Sequence, residues 1–140
     1  MIRSTVLVLF LLSIIGCSVP TRSWSKENKE YVWIAMVAAA KTPDYSSEDP
    51  RKRWIVMEND VEVNYQLGRI VVRRKLSRSL KLPRQNEQTD HREWFFVINL
   101  LPKCVPTVTF DVMETQLVPV RTLDEADRYF SLVDNLLHPN

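Results

Sequence analysis

The chain has 140 residues, with 19 lysines and arginines against 17 aspartates and glutamates, so its formal net charge is only +2. This near balance argues against a nucleic-acid-binding protein, which would carry a clear excess of basic residues. Hydrophobic residues make up 45% of the chain, as is ordinary for a globular protein, and the length suits one domain with its own core.

The N-terminus has the pattern of an export signal. Arg3 supplies one positive charge, and residues 6–15 are apolar apart from Ser13. Ten residues make roughly 15 Å of helix, about half the thickness of a hydrocarbon core. The run is therefore too short to span a membrane and suits the apolar region of a signal peptide.

The end of this run resembles the lipobox of bacterial lipoproteins, in the residues Ser13-Ile-Ile-Gly-Cys17. The resemblance implies a signal peptide over residues 1–16, cleavage after Gly16 and lipidation of Cys17. It also favours the outer membrane, because Ser18 stands where an aspartate would favour retention in the inner membrane. The alternative is a secretory peptidase that cuts after Ser18.

A lipid on Cys17 would leave Cys104 as the one remaining cysteine, so the domain would form no internal disulfide. We interpret residues 17–25, which include Pro20 and several small polar residues, as a tether. Residues 26–140 are then expected to form a single domain.

The first helix is expected to start near Ser25, a residue that often caps helices. Residues 31–40 are apolar on every side, which predicts a helix buried under a sheet. A loop with two prolines follows over residues 42–50.

A β-hairpin is predicted around Leu67 and Gly68, because glycine readily adopts the positive φ of a tight turn. Alternation predicts one largely apolar face and one charged face. The apolar-face pairs would be Tyr65 with Ile70, Val63 with Val72 and Val61 with Arg74; the polar-face pairs would be Gln66 with Arg69, Glu62 with Arg73 and Asp60 with Lys75.

Residues 69–84 hold seven basic side chains and no acidic one. One interpretation is a patch for the phosphate groups of lipids or lipopolysaccharide, and the other is a solvated strand and loop. Arg78, Lys81 and Arg84 have no acidic partner in the predicted hairpin, so they are the candidate residues for contact with an anionic surface.

Further strands follow a polar loop at residues 81–93. Residues 94–100 should place Trp94, Phe96, Ile98 and Leu100 on one face. Residues 107–112 alternate in the same way, and residues 117–120 suggest an edge strand because of Pro119.

The C-terminal helix is expected to start at a capping box, with Thr122 as the cap and Glu125 three residues later. Apolar residues then recur at helical spacing up to Leu137. The whole order predicts an α+β fold, in which an antiparallel sheet of about four to five strands carries an N-terminal and a C-terminal helix.

No catalytic motif, metal-ligand spacing or cofactor motif stands out, so no catalytic residue, metal or cofactor is predicted. The leading hypothesis is a non-enzymatic, lipid-anchored envelope protein that acts as an accessory or assembly factor, with the membrane as partner and a protein partner of unknown identity. The alternatives are a freely secreted binding module or inhibitor cleaved after Ser18, and a small hydrolase with a dispersed site.

Overall fold

The computed structural model of the chain describes residues 18–113 and 119–140, so the lipobox and Cys17 lie outside the described residues. Within these described residues, two α-helices and five strands form the fold. They are, in order, β1 (Thr21–Ser23), α1 (Lys29–Lys41), β2 (Ile55–Asn64), β3 (Arg69–Leu80), β4 (Gln88–Leu100), β5 (Thr107–Val112) and α2 (Pro119–Leu137), with a short 3₁₀ helix at Pro50–Lys52 before β2. The predicted α+β fold with a helix at each end is confirmed.

The sheet is antiparallel throughout, in the order β1-β5-β4-β3-β2. Its buried face carries the predicted alternating residues of β4 and β5, among them Trp94, Phe96, Ile98 and Phe110. Both helices pack on this face, and the hydroxyl of Tyr129 in α2 donates to the carbonyl of Met36 in α1 at 3.0 Å. The apolar face predicted for each strand is therefore the face that forms the core.

The β2–β3 hairpin is present, but its predicted register was wrong by two residues. Val63 pairs with Ile70 and Val61 with Val72, because the turn takes four residues, Tyr65–Gly68. The Asn64 side chain accepts the amide of Leu67 at 3.1 Å and so stabilises this longer turn. A shift of two residues keeps every side chain on its predicted face, since strand side chains alternate with a period of two.

The predicted tether is too long at its C-terminal end, because Thr21–Ser23 forms strand β1 at the free edge of β5. The carbonyl of Pro20 accepts the amide of Phe110 at 2.9 Å, and Trp24 is buried in the core. A strand of three small or charged residues has no alternation that a sequence pattern could reveal. Of the predicted tether, only residues 17–20 precede β1 in the sequence.

Both helices start elsewhere than predicted. Asn28, and not Ser25, caps α1, because its side chain accepts the amide of Glu30 at 2.8 Å. Helix α2 begins at Pro119, which is suited to a first helical turn, so Pro119 and Val120 are helical and not part of an edge strand. Leu117 and Val118 lie outside the described residues. Thr122 is consequently inside α2 and does not cap it.

The predicted polar loop is shorter than expected, because β3 extends to Leu80 and β4 begins at Gln88. Polar residues pair across these two strands beyond the core, for example Ser77 with His91 and Arg78 with Asp90. The loop that remains is residues 81–87. We refer to the end of the sheet that carries this loop as the β3–β4 end.

Candidate functional site

An arginine-lined cleft of about 500 Å³ lies toward the β3–β4 end of the sheet, between α2 and the segment that precedes β2. Three acidic side chains of α2 also line it: Asp124, Glu125 and Asp127. Its basic lining residues are Arg51, Lys52, Arg78, Arg92, Arg121 and Arg128. The cleft thus concentrates basic side chains from four separate stretches of a chain whose charges nearly balance.

Trp54 forms the apolar wall of the cleft and is 9% exposed. The guanidinium carbons of Arg78 and Arg92 each lie 4.5 Å from the centroid of its ring. Both contacts are in cation–π range, so the indole holds two like charges close together at the start of β2.

Arg78 has an acidic partner, contrary to the prediction. Its Nε and Nη2 atoms lie 3.0 and 2.9 Å from Oδ2 of Asp90, the residue opposite it on β4. Its Nη1 atom donates to the carbonyl of Arg51, which ties the 3₁₀ segment to β3. These contacts hold Arg78 in place, and the Asp90 carboxylate offsets its positive charge at the cleft.

Arg92 differs from Arg78, because its side chain makes no hydrogen bond or ion pair with any residue in the described part of the chain. Burial lowers the pKa of its guanidinium, and the positive charges of Arg121 and Arg78 lower it further. A partly buried cation that faces like charges is a group that an anion would stabilise.

Arg128 borders the cleft from α2. Its guanidinium carbon lies 4.6 Å from the ring centroid of Tyr45, and its Nε atom is 3.9 Å from Oε2 of Glu125. That Nε atom is buried and has no hydrogen-bond acceptor among the described residues. Arg128 therefore keeps unused capacity to donate hydrogen bonds.

Beneath the cleft, Arg74 and Glu125 form a buried polar network. Arg74 is 3% exposed, and its Nε, Nη1 and Nη2 atoms donate to Asn59, to the Tyr45 hydroxyl and to the Ala40 carbonyl at 2.8, 2.9 and 3.0 Å. Tyr45 in turn donates to Oε1 of Glu125 at 2.5 Å, and that oxygen lies 3.5 Å from Arg74.

Burial governs the protonation of this network. It raises the pKa of the Glu125 carboxyl above its usual range, against the opposing hydrogen bond from Tyr45 and the charges of nearby arginines. Burial also raises the pKa of the Tyr45 hydroxyl, and the charge of Glu125 adds to that effect. Glu125 interacts chiefly with Arg74 and Tyr45, which leaves Asp124 and Asp127 as the acidic groups that face the opening.

The structure places the three residues predicted to contact an anionic surface in two different settings. Arg78 lies in the cleft and is bound to Asp90, whereas Lys81 and Arg84 are exposed in the loop at the tip of β3 and β4. Arg84 adopts a positive φ of 65° in that loop. Cys17, the predicted lipidation site, lies outside the described residues.

Of the side chains that line the cleft, sequence reasoning identifies only Arg78 as a site residue; those that it misses include Trp54, Arg92, Arg121 and Arg128. The sequence pattern places Arg92 in a polar loop and gives Trp54 no role beyond the start of a strand. The spacing of seven between Arg121 and Arg128 could have placed both on one face of α2. Nothing local to the sequence indicates that this face meets Trp54 and Arg92.

Comparisons with known proteins give no further identification of the cleft. Comparison of the chain with protein-family models, curated proteins and solved structures finds no match. No helix in the described part of the chain is both long enough and apolar enough to cross a bilayer. Within residues 18–113 and 119–140, no three His, Cys, Asp or Glu side chains come together as a possible metal site.

Proposed function

We propose that this chain is a non-enzymatic, lipid-anchored protein of the bacterial cell envelope, attached through Cys17 and acting as an accessory or assembly factor. The outer membrane is the favoured location. The observation that carries this proposal, besides the lipobox-like residues, is the path of the chain just after Cys17.

The position of β1 would keep the domain close to its anchor. Three residues separate Cys17 from Thr21, the first residue of β1. Four residue steps of extended chain span at most about 14 Å. A lipid on Cys17 would therefore hold the edge of the sheet close to the membrane surface, with little freedom to move away.

The direction of β1 would also orient the domain. Strand β1 runs antiparallel to β5, and β5 runs antiparallel to β4, so β1 runs in the same direction as β4. The residues that precede Thr21 therefore extend toward the β3–β4 end of the sheet, where β4 begins. The arginine-lined cleft and the exposed Lys81 and Arg84 lie toward the same end. Basic residues near an anionic surface each contribute about 1 kcal/mol to attraction, so this orientation would favour contact with acidic head groups.

Metabolic labelling with a fatty acid tests the anchor. The full chain, expressed in a proteobacterium, should take up label, whereas Cys17→Ser should take up none and should accumulate as unprocessed precursor. Cys104→Ser is the matched control, because Cys104 is the other cysteine of the chain and its side chain is exposed. Label that still enters Cys17→Ser would overturn the lipoprotein proposal.

The mass and N-terminal residue of the processed protein distinguish the secreted alternative. A lipoprotein would begin at a modified Cys17, and a freely secreted module cleaved after Ser18 would begin at an unmodified Val19. In the structure, the Val19 carbonyl accepts the hydroxyl of Thr21 at 2.9 Å. Recovery of the Val19 form from the medium would favour a secreted binding module or inhibitor.

A further inference from the structure

We propose that the arginine-lined cleft binds a phosphate group, either free or as a monoester, between Arg92, Arg121 and Arg128 and against the wall made by Trp54. This inference goes beyond the anchoring proposed above, because the cleft lies wholly within the described residues and requires no lipid on Cys17.

The charge of the cleft favours an anion with more than one negative charge. Arg78 is paired with Asp90, Arg51 with Asp49, and Glu125 is engaged by Tyr45 and Arg74. The lining charges that remain are the four basic side chains of Lys52, Arg92, Arg121 and Arg128 and the two acidic side chains of Asp124 and Asp127. The N-terminal end of α2, where Arg121 lies, adds the partial positive charge of a helix start. A phosphate dianion would offset this local excess, whereas a single carboxylate would offset less of it.

The free donors of the cleft also match phosphate. Within residues 18–113 and 119–140, neither the Arg92 side chain nor the Arg128 side chain donates a hydrogen bond, and the one ion pair of Arg128 is the 3.9 Å contact of its Nε with Glu125. Guanidinium groups donate in a planar fork that fits two oxygens of a phosphate or carboxylate. Several guanidinium groups that converge on one space can engage the three terminal oxygens of a phosphate monoester together.

The wall of the cleft holds the binding groups in position. Trp54 is buried, and Arg78 is fixed by Asp90 and by the Arg51 carbonyl, so Arg92 packs against a rigid surface. Such support reduces the conformational entropy lost when a ligand binds. The volume of about 500 Å³ is ample for a phosphate and part of the group that it esterifies.

Titration of the full chain in a zwitterionic detergent with inorganic phosphate tests the site, with sodium chloride at matched ionic strength as the reference. We expect saturable heat by calorimetry and a rise in Tm with phosphate but not with chloride, because a ligand that binds only the folded state stabilises it. Arg92→Gln should weaken phosphate binding at least tenfold. The absence of a saturable phosphate effect on the unaltered chain would overturn the proposal.

Arg69→Gln is the matched control, because it removes the same charge from an exposed position on β3 outside the cleft. It should leave phosphate affinity within about twofold of the unaltered chain. Arg121→Gln is a second test: the Arg121 side chain is exposed on α2, so the substitution should leave the core intact and should weaken phosphate binding as Arg92→Gln does. Equal losses in Arg92→Gln, Arg121→Gln and Arg69→Gln would show diffuse charge attraction and would overturn the site.

Vesicles distinguish a lipid head group from free phosphate. The same proteins are sedimented with vesicles of phosphatidic acid, a phosphate monoester, or of phosphatidylglycerol, a diester, at equal surface charge. A preference for phosphatidic acid that Arg92→Gln abolishes assigns the cleft to a lipid head group. Phosphate binding that depends on Arg92, without that preference, assigns it to a soluble phosphate. If neither phosphate binding nor the preference for phosphatidic acid depends on Arg92, the proposal fails, whatever the labelling of Cys17 shows.

Discussion

At the scale of single residues, the turn between β2 and β3 requires a glycine at position 68. Its φ is +61°, and a Cβ atom built on it would lie 2.8 Å from the backbone oxygen of Leu100. Its own carbonyl accepts the Leu100 amide at 2.7 Å, so the backbone cannot easily move away. Glycine is required here both for its backbone angle and for its lack of a side chain.

We therefore expect Gly68→Val to lower the free energy of unfolding by at least about 2 kcal/mol, since a β-branched residue is strained at positive φ. Urea denaturation of the full chain measures this loss. Gly68→Asn should also destabilise, because asparagine tolerates the backbone angle but its Cβ still meets Leu100. Leu67→Val, at the exposed neighbouring position, should have little effect, and an unchanged midpoint for Gly68→Val would contradict the turn.

At the scale of elements, the shortest strand is held by the longest helix. Asp134 of α2 accepts the indole N–H of Trp24 through Oδ1 and the guanidinium of Arg22 through Oδ2, both at 2.5 Å. The ring of Phe130 lies 5.3 Å from the Arg22 guanidinium carbon. A three-residue strand has few backbone hydrogen bonds of its own, so α2 supplies much of what keeps β1 on the sheet.

Asp134→Ala should loosen β1 and lower the free energy of unfolding by about 1–2 kcal/mol, because it removes an acceptor from two donors, one of them charged. Hydrogen exchange gives the direct measurement. The Phe110 amide bonds to Pro20, so it should exchange faster once β1 detaches. Asn135→Ala, next to it and exposed, should not change that rate, and unchanged exchange in Asp134→Ala would mean that the sheet alone holds β1.

At the scale of the whole molecule, the Arg74 network connects every layer. Its members come from α1 (Ala40), the loop after α1 (Tyr45), β2 (Asn59), β3 (Arg74) and α2 (Glu125). Burying an ion pair has a desolvation cost close to its Coulombic gain, so the network orders the layers more than it stabilises them.

The pH dependence of the free energy of unfolding tests how the buried network affects the protonation of Glu125. Burial raises the pKa of the folded-state carboxyl above its unfolded value, so the folded protein binds the proton more tightly. The stabilisation from Glu125 is then complete below the unfolded pKa of about 4.3 and is lost as the pH rises through the folded pKa. The unaltered chain should lose stability relative to Glu125→Gln as the pH rises from about 4 to 7.

Urea denaturation of both proteins across this range measures the difference. Asp127→Asn is the control, because it removes an exposed acid from the same helix and should show no comparable divergence from the unaltered chain. A stability advantage of the unaltered chain over Glu125→Gln that grows with pH would instead mean that Arg74 holds the Glu125 pKa below its usual range.

Local sequence patterns were enough to predict the fold class and the face that each main strand turns to the core. Alternation in residues 94–100 and 107–112 is set by neighbouring residues, and it survives a register shift of two because side chains repeat every second position. The lipobox-like end and the prediction of an anchor at Cys17 were likewise read from a short local pattern, and that prediction awaits its test.

The hairpin register, the docking of β1 and the cleft become evident only in the folded structure. Asn64 lengthens the turn through a side-chain contact that alternation does not encode, and β1 depends on Asp134, 110 residues after Trp24. The cleft brings together Trp54, Arg92 and Arg128 from different elements. Periodicity describes which way a side chain points from its own strand or helix, whereas the meeting of distant arginines depends on how the helices and the sheet pack as a whole.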